Sequence, residues 1–141
     1  MNYNNTPIDW SKVNDIVSSA KKILLTTHEN PDGDGLGSEV AFYHHLLEIG
    51  KEVKIINCSV TPPMYDFINR NNCIETFDAN SHSGWISNVD LAIVFDVGDF
   101  KRTRLLKSAI EKNSIPVMNI DHHPHPKDNS FDYNIVDTTS A

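Results

Sequence analysis

The sequence predicts an α/β domain built on a parallel β-sheet flanked by helices, and three observations predict it. Short apolar runs, among them Ile23-Leu24-Leu25 and Val117-Met118, alternate with segments whose apolar residues recur at helical spacing. That is the pattern of strand, crossover helix and next strand. Leu91-Ala92-Ile93-Val94-Phe95 is apolar throughout, as a central strand covered on both faces must be. Finally, three runs end in side chains able to hold a metal: His28, Asp32 and Asp34 after the first, Asp96 after Phe95, and Asp121, His122 and His123 after Ile120. Parallel strands bring such ends together along one edge, where ligands sit in this fold class.

The elements follow in order. Asp9 or Ser11 can cap a first helix in which Val13, Ile16, Val17 and Ala20 recur, with Lys21 and Lys22 suited to its carboxyl end. After the loop 26–38, Leu36, Val40, Tyr43, Leu47 and secondarily Leu46 form an apolar stripe, and Gly50 stops that helix. Residues 51–57 read as a second strand and 64–68 as a short helix. Residues 73–77 are ambiguous, and the polar stretch around Asn80 to Gly84 is left without an element. Helical spacing returns over 102–110, and 116–120 is a further strand.

One domain over 1–141 is expected, with 39 % hydrophobic residues and no low-complexity tract. No apolar run approaches the roughly 20 residues of a membrane span. The amino terminus lacks the basic and apolar regions of a secretion signal, so the expected compartment is the cytoplasm, with Cys58 and Cys73 as thiols rather than a disulfide. A net charge of −7 argues against broad capture of duplex nucleic acid, although divalent ions would reverse the field around clustered acids.

Pro31 and Gly33 bend the backbone so that Asp32 and Asp34 can face a common centre. Two carboxylates held together raise each other's proton affinity unless a cation lies between them, so a divalent metal is the economical explanation. Each piece has a plainer reading. Asp-Gly-Asp-Gly is turn chemistry, Asp96 could cap a helix, and a His pair is often a solvated loop. Their placement at three strand ends favours the metal. Gly33-x-Gly35-x-Gly37 is no dinucleotide loop, since its sixth position is Ser38 and its acids would repel a pyrophosphate. An EF-hand from Asn30 would need Glu where Ala41 stands, and zinc-finger spacing is missing. His44 and His45 read as surface or packing residues. His125 is a candidate extra contact, and Asp99 with Lys101, Arg102 and Arg104 reads as a solvated helix start rather than a phosphate contact.

His28-x-x-Pro31-Asp32-x-Asp34, then Asp96, then Asp121-His122-His123 resemble the first three motifs of the DHH phosphoesterases. The wording Asp32-Gly33-Asp34-x-Leu36-Gly37-Ser38, Asp96-Val97-Gly98-Asp99 and Ile120-Asp121-His122-His123-Pro124 is most similar to the bacterial oligoribonuclease and phosphoadenosine-phosphate phosphatase branch. The resemblance implies two Mn²⁺ ions, with Mg²⁺ as the alternative, held by His28, Asp32, Asp34, Asp96 and His122, Asp96 bridging. It implies that His123 contacts the scissile phosphate and that Asp121 supports the site. The implied partners are short single-stranded RNA or DNA oligonucleotides or nucleotide phosphates, with no membrane; the sequence does not choose an oligomeric state, a homodimer being one candidate. The family's fourth motif and its carboxyl-terminal substrate-binding domain lie beyond residue 141, so this is expected to be an amino-terminal fragment of low turnover. Oxygen and imidazole ligands suit Mn²⁺ or Mg²⁺, and hydrolysis at such a centre needs no covalent enzyme intermediate. The rival functions are a manganese pyrophosphatase, a cyclic-dinucleotide phosphodiesterase, and an inert metal- or nucleotide-binding module.

Overall fold

The computed structural model describes residues 7–124 and 130–140. Six strands form one sheet: β1 (Lys22–Thr26), β2 (Glu52–Asn57), β3 (Ile74–Thr76), β4 (Leu91–Phe95), β5 (Val117–Asp121) and β6 (Tyr133–Val136). Every neighbouring pair is parallel, in the order β3-β2-β1-β4-β5-β6, as the alternation of runs predicts. The chain builds outward from β1 in one direction and from β4 in the other. The topological switch point therefore lies between β1 and β4.

Helices α1 (Trp10–Ser19) and α2 (Gly33–Glu48) cover one face, and α3 (Ala79–Ile86) and α4 (Leu105–Lys112) the other. On the first face Val17, Leu36 and Leu46 pack with Ile23, Leu25, Ile55 and Ile93. On the second, Ile86, Leu106 and Ile110 pack with Leu24, Ile56, Ala92 and Val94. Successive strand residues thus enter opposite cores, which is why β1 and β4 read as continuous apolar runs rather than alternating ones.

Asp9 caps α1, its carboxylate accepting from Lys12 N at 3.0 Å. Gly50 follows α2 with φ +79°, the left-handed geometry that ends a helix without a Cβ penalty. The stripe on α2 differs from expectation at one position, since Leu46 is fully buried while Leu47 is exposed. Residues 64–68 are not a regular helix; only a 3₁₀ turn, Pro63–Tyr65, forms there after Pro62. The ambiguous stretch 73–77 contains edge strand β3. The segment 102–110 is broken in two: a 3₁₀ turn Phe100–Thr103 ends at Arg104, whose φ is +53°, and α4 begins beyond it. Sequence periodicity misses α3 because its apolar face is short; Asp78 caps it through Asn80 N, and only His82 and Ile86 are buried. β6 is likewise unforeseen. Among the described residues no helix is long and apolar enough to cross a membrane. His125 lies outside the described residues.

Candidate metal centre

Sheet register places the site. Thr26 pairs with Val94, so His28 and Asp96 each stand two residues beyond a matched pair at the switch point. Phe95 pairs with Ile120, which sets Asp121 beside Asp96 on the next strand. Asp96 adopts φ +58°, a conformation that Asp tolerates better than most residues and that recurs at functional turns. It does not cap the following turn, because Asp99 does so by accepting from Lys101 N at 2.9 Å.

His28 Nδ1 lies 2.6 Å from the Glu29 carbonyl oxygen, so Nδ1 carries the proton and donates. The lone pair is then on Nε2, which faces Asp96 Oδ2 at 3.6 Å and Asp32 Oδ2 at 3.9 Å. Asp32 has two employments: Oδ1 accepts from the backbone N–H groups of Asp34 and Gly35 and caps α2, while Oδ2 remains for the centre. The turn reading and the ligand reading of Asp-Gly-Asp-Gly are thus both compatible with one geometry. On the other side, His122 Nε2 is 3.2 Å from Asp34 Oδ2 and 3.1 Å from Asp96 Oδ1. Asp121 Oδ1 accepts from the backbone N–H groups of His122 and His123 and from His123 Nδ1 at 2.8 Å. Donor atoms of His28, Asp32 and Asp96 lie within 4.8 Å of one another, as do those of Asp96, Asp121, His122 and His123. Asp96 belongs to both groups.

Burial raises the Asp96 carboxyl above its ordinary range, and the charges of Asp34 and Asp32 push it further. For Asp121 burial acts the same way but is outweighed by hydrogen bonds from His123 and the two backbone N–H groups, leaving it below the usual range. Burial opposes protonation of His122, yet Asp34, Ser140's backbone and Asp96 together raise it. Four carboxylates converging on imidazoles, one of them paying a like-charge penalty, fit a divalent cation. The donors in these two groups are carboxylate oxygen and imidazole nitrogen, a set able to hold a divalent metal ion.

Beneath these ligands lies a polar network that sequence reasoning missed. Asn57, at the end of β2, accepts from Thr27 N and Thr26 Oγ1 through Oδ1 and donates to Glu39 Oε2 at 2.9 Å. Thr27 Oγ1 donates to the Phe95 carbonyl at 2.7 Å, joining the residue before His28 to the residue before Asp96. A Cβ on Gly35 would stand 2.4 Å from that same Oγ1, so only glycine lets α2 start this close to β1. Glu39 is fully buried and Oε1 has no hydrogen-bond partner among the described residues. Its position three residues after Leu36 is the signal that was available: an acid on a stripe that faces the core.

Burial pushes the Glu39 carboxyl from 4.5 up to about 8, against the bond from Asn57. The folded protein therefore holds the proton that the unfolded chain has released, and stability falls as pH rises from about 4.5 to about 8. Glu39→Gln is expected to remove that fall, at most about 1.4 kcal/mol per pH unit. Denaturant melts should show the variant more stable than the unaltered protein at pH 8 and equal to it near pH 4.5.

A cleft of about 320 Å³ opens beside the centre, with Trp10, Phe95, Ile120 and Ile135 as apolar wall and Asp34, Asp96 and His122 at its polar end. Asp137 also borders it, but its Oδ1 is taken by Thr139 N and Thr139 Oγ1. His44 and His45 are exposed and away from the donor clusters. Cys58 and Cys73 are free thiols.

The sequence profile of the DHH family, N-terminal domain, matches residues 22–141. The bifunctional oligoribonuclease and PAP phosphatase NrnA of Mycoplasma genitalium is 30% identical over 118 residues, covering 82% of this chain and 35% of that protein. The crystal structure of an exopolyphosphatase-related protein from Bacteroides fragilis shares the fold with a TM-score of 0.80 at 24% identity, over 89% of this chain and 37% of that one. The chain thus spans about a third of the length of these relatives.

Proposed function

From the premise that this chain belongs to the DHH family, whose N-terminal domain it carries, we propose that it is the metal-holding domain of a phosphoesterase acting on short oligonucleotides, adenosine 3′,5′-bisphosphate, or both. The products are 5′-mononucleotides and AMP respectively. The observation that carries this reading is Asp96, whose carboxylate faces His28 with one oxygen and His122 with the other. The similarity to a bifunctional oligoribonuclease and PAP phosphatase supports the substrate class. The free thiols Cys58 and Cys73 suit the cytoplasm as its compartment.

His28, Asp32, Asp34, Asp96 and His122 are the residues that would hold two Mn²⁺ ions. When bound, such ions neutralise charge on a phosphate ester and acidify water at the site. The protein's own contribution is placement. The Glu29 carbonyl fixes the His28 tautomer. Asp121 holds the His122–His123 backbone and occupies His123 Nδ1, which leaves His123 Nε2 for a phosphoryl oxygen.

The test is hydrolysis of a 5′-phosphorylated diadenylate with Mn²⁺ by the full-length natural protein, with pyrophosphate and polyphosphate as parallel substrates. Faster turnover of the dinucleotide supports the proposal. Equal or faster hydrolysis of pyrophosphate or polyphosphate replaces it with a polyphosphate-type activity, and Mn²⁺ binding without turnover replaces it with an inert binding module.

A further inference from the structure

The ion-holding side chains come from four pieces of chain, the ends of β1, β4 and β5 and the start of α2. Three of these meet at one side chain, Thr27, which is fully buried. Its Oγ1 donates to the Phe95 carbonyl at 2.7 Å, so the residue before His28 grips the residue before Asp96. The matched register of β1 and β4 runs only to Thr26 and Val94. A side chain thus continues the pairing where the two strands stop. The same Oγ1 lies against the first turn of α2, where a Cβ on Gly35 would collide with it. Asp32 caps that turn by accepting from Gly35 N at 3.1 Å, so the start of α2 is keyed to Thr27 as well.

Thr27 is itself held from behind. Its N–H donates to Asn57 Oδ1 at 3.1 Å, and Asn57 Nδ2 donates to Glu39 Oε2 at 2.9 Å. Asn57 and Glu39 are also fully buried. A hydroxyl approaches a carbonyl oxygen to about 2.7 Å, whereas a carbon group stays about 3.3 Å or more away. Losing the hydroxyl while keeping the shape would therefore spread the ends of β1 and β4 by roughly 0.5 Å. That is about the tolerance within which a functional constellation has to be held, and exceeds the ~0.2 Å latitude of metal–ligand bonds. His28 Nε2 and Asp96 Oδ2, 3.6 Å apart, are the pair such a shift would separate.

We propose that Thr27 is a positioning residue for the metal centre, its hydroxyl setting the spacing of His28, Asp96 and the start of α2, with Asn57 and Glu39 as its support. The proposal rests on the metal-holding part of the phosphoesterase reading above and adds a residue outside the ion-holding set.

The experiment is calorimetric titration of Mn²⁺ into the full-length natural protein and its Thr27→Ser, Thr27→Val and Thr27→Ala variants, beside thermal midpoints of the metal-free proteins. Thr27→Ser keeps the hydroxyl and loses a methyl group, whereas Thr27→Val keeps the shape and loses the hydroxyl. Thr27→Val is expected to weaken Mn²⁺ binding about 10- to 100-fold and Thr27→Ala about 10-fold, with Thr27→Ser within about threefold of the unaltered protein. The metal-free midpoint is expected to fall in all three, because each loses a buried methyl group or a buried hydrogen bond. Retained Mn²⁺ affinity in a destabilised Thr27→Ser is the result that a packing role does not produce. Equal Mn²⁺ affinities in Thr27→Ser and Thr27→Ala overturn the inference, since those two differ by the hydroxyl alone, and this comparison stands even if Thr27→Val does not fold. A loss in Thr27→Ser as large as that in Thr27→Val also overturns it, reducing Thr27 to packing. Failure of the unaltered protein to bind Mn²⁺ overturns the metal-centre reading together with it.

Discussion

Asp96→Asn is expected to abolish Mn²⁺-dependent hydrolysis and to weaken Mn²⁺ binding by at least about 100-fold, since even outer-shell partners of metal ligands cost about 10- to 100-fold when changed. Asparagine preserves the shape and one oxygen but cannot offer a charged oxygen to both His28 and His122, which Asp96 faces at 3.6 and 3.1 Å. The stability of the metal-free protein should move the other way. Asp96 sits buried beside Asp34 and Asp32, and its carboxyl is raised by burial and by their charges. A group raised in the fold favours folding below its ordinary value and loses that favour as pH rises through the folded value. Removing the charge is therefore expected to raise the thermal midpoint of the metal-free protein at neutral pH. Added Mn²⁺ should stabilise the unaltered protein strongly and the variant little. Melting curves with and without Mn²⁺ check both halves. A variant that is simply less stable, with the same Mn²⁺ response, would mark Asp96 as structural.

The second large effect is expected at Asp121. One oxygen, Oδ1, accepts from two backbone N–H groups and from His123 Nδ1. Asp121→Ala frees the tautomer of His123 and loosens the turn carrying His122, with an expected fall in turnover of about 10- to 100-fold. Asp121→Asn keeps an oxygen for the backbone donors and should recover part of that loss. The discriminating readout is the split between parameters. Mn²⁺ affinity is expected to fall less than kcat, because His28, Asp32, Asp34 and Asp96 are untouched. Equal losses in both would place Asp121 among the ion-holding residues.

How much of this is legible in sequence depends on which interactions are local. The sheet and its strand ends are legible because strands buried on both faces leave unbroken apolar runs, as Leu91 to Phe95 do, and the polar residue after such a run marks the edge of the sheet. The convergence of His28, Asp96 and Asp121 follows from parallel pairing. The helix α3 is not legible, since eight residues with only His82 and Ile86 inside carry too little periodicity. Nor is the break at Arg104, where a positive φ interrupts what reads as one helix over 102–110. The support network escapes because it joins α2, β2 and β1 across 18 to 31 residues, so neither Glu39 nor Asn57 has a local signature. Arg102 and Arg104 look alike in sequence. The positive φ of Arg104 and the bidentate grip of Glu29 on its guanidinium separate them.

The most direct measurement is hydrolysis of a 5′-phosphorylated diadenylate by the full-length natural protein before chelation, after removal of divalent ions, and after Mn²⁺ is restored. Turnover that disappears on chelation and returns with Mn²⁺, but not in Asp96→Asn, is the predicted result. Turnover that survives chelation, or that returns equally in Asp96→Asn, would contradict a metal-dependent phosphoesterase centre at the β1–β4 switch point.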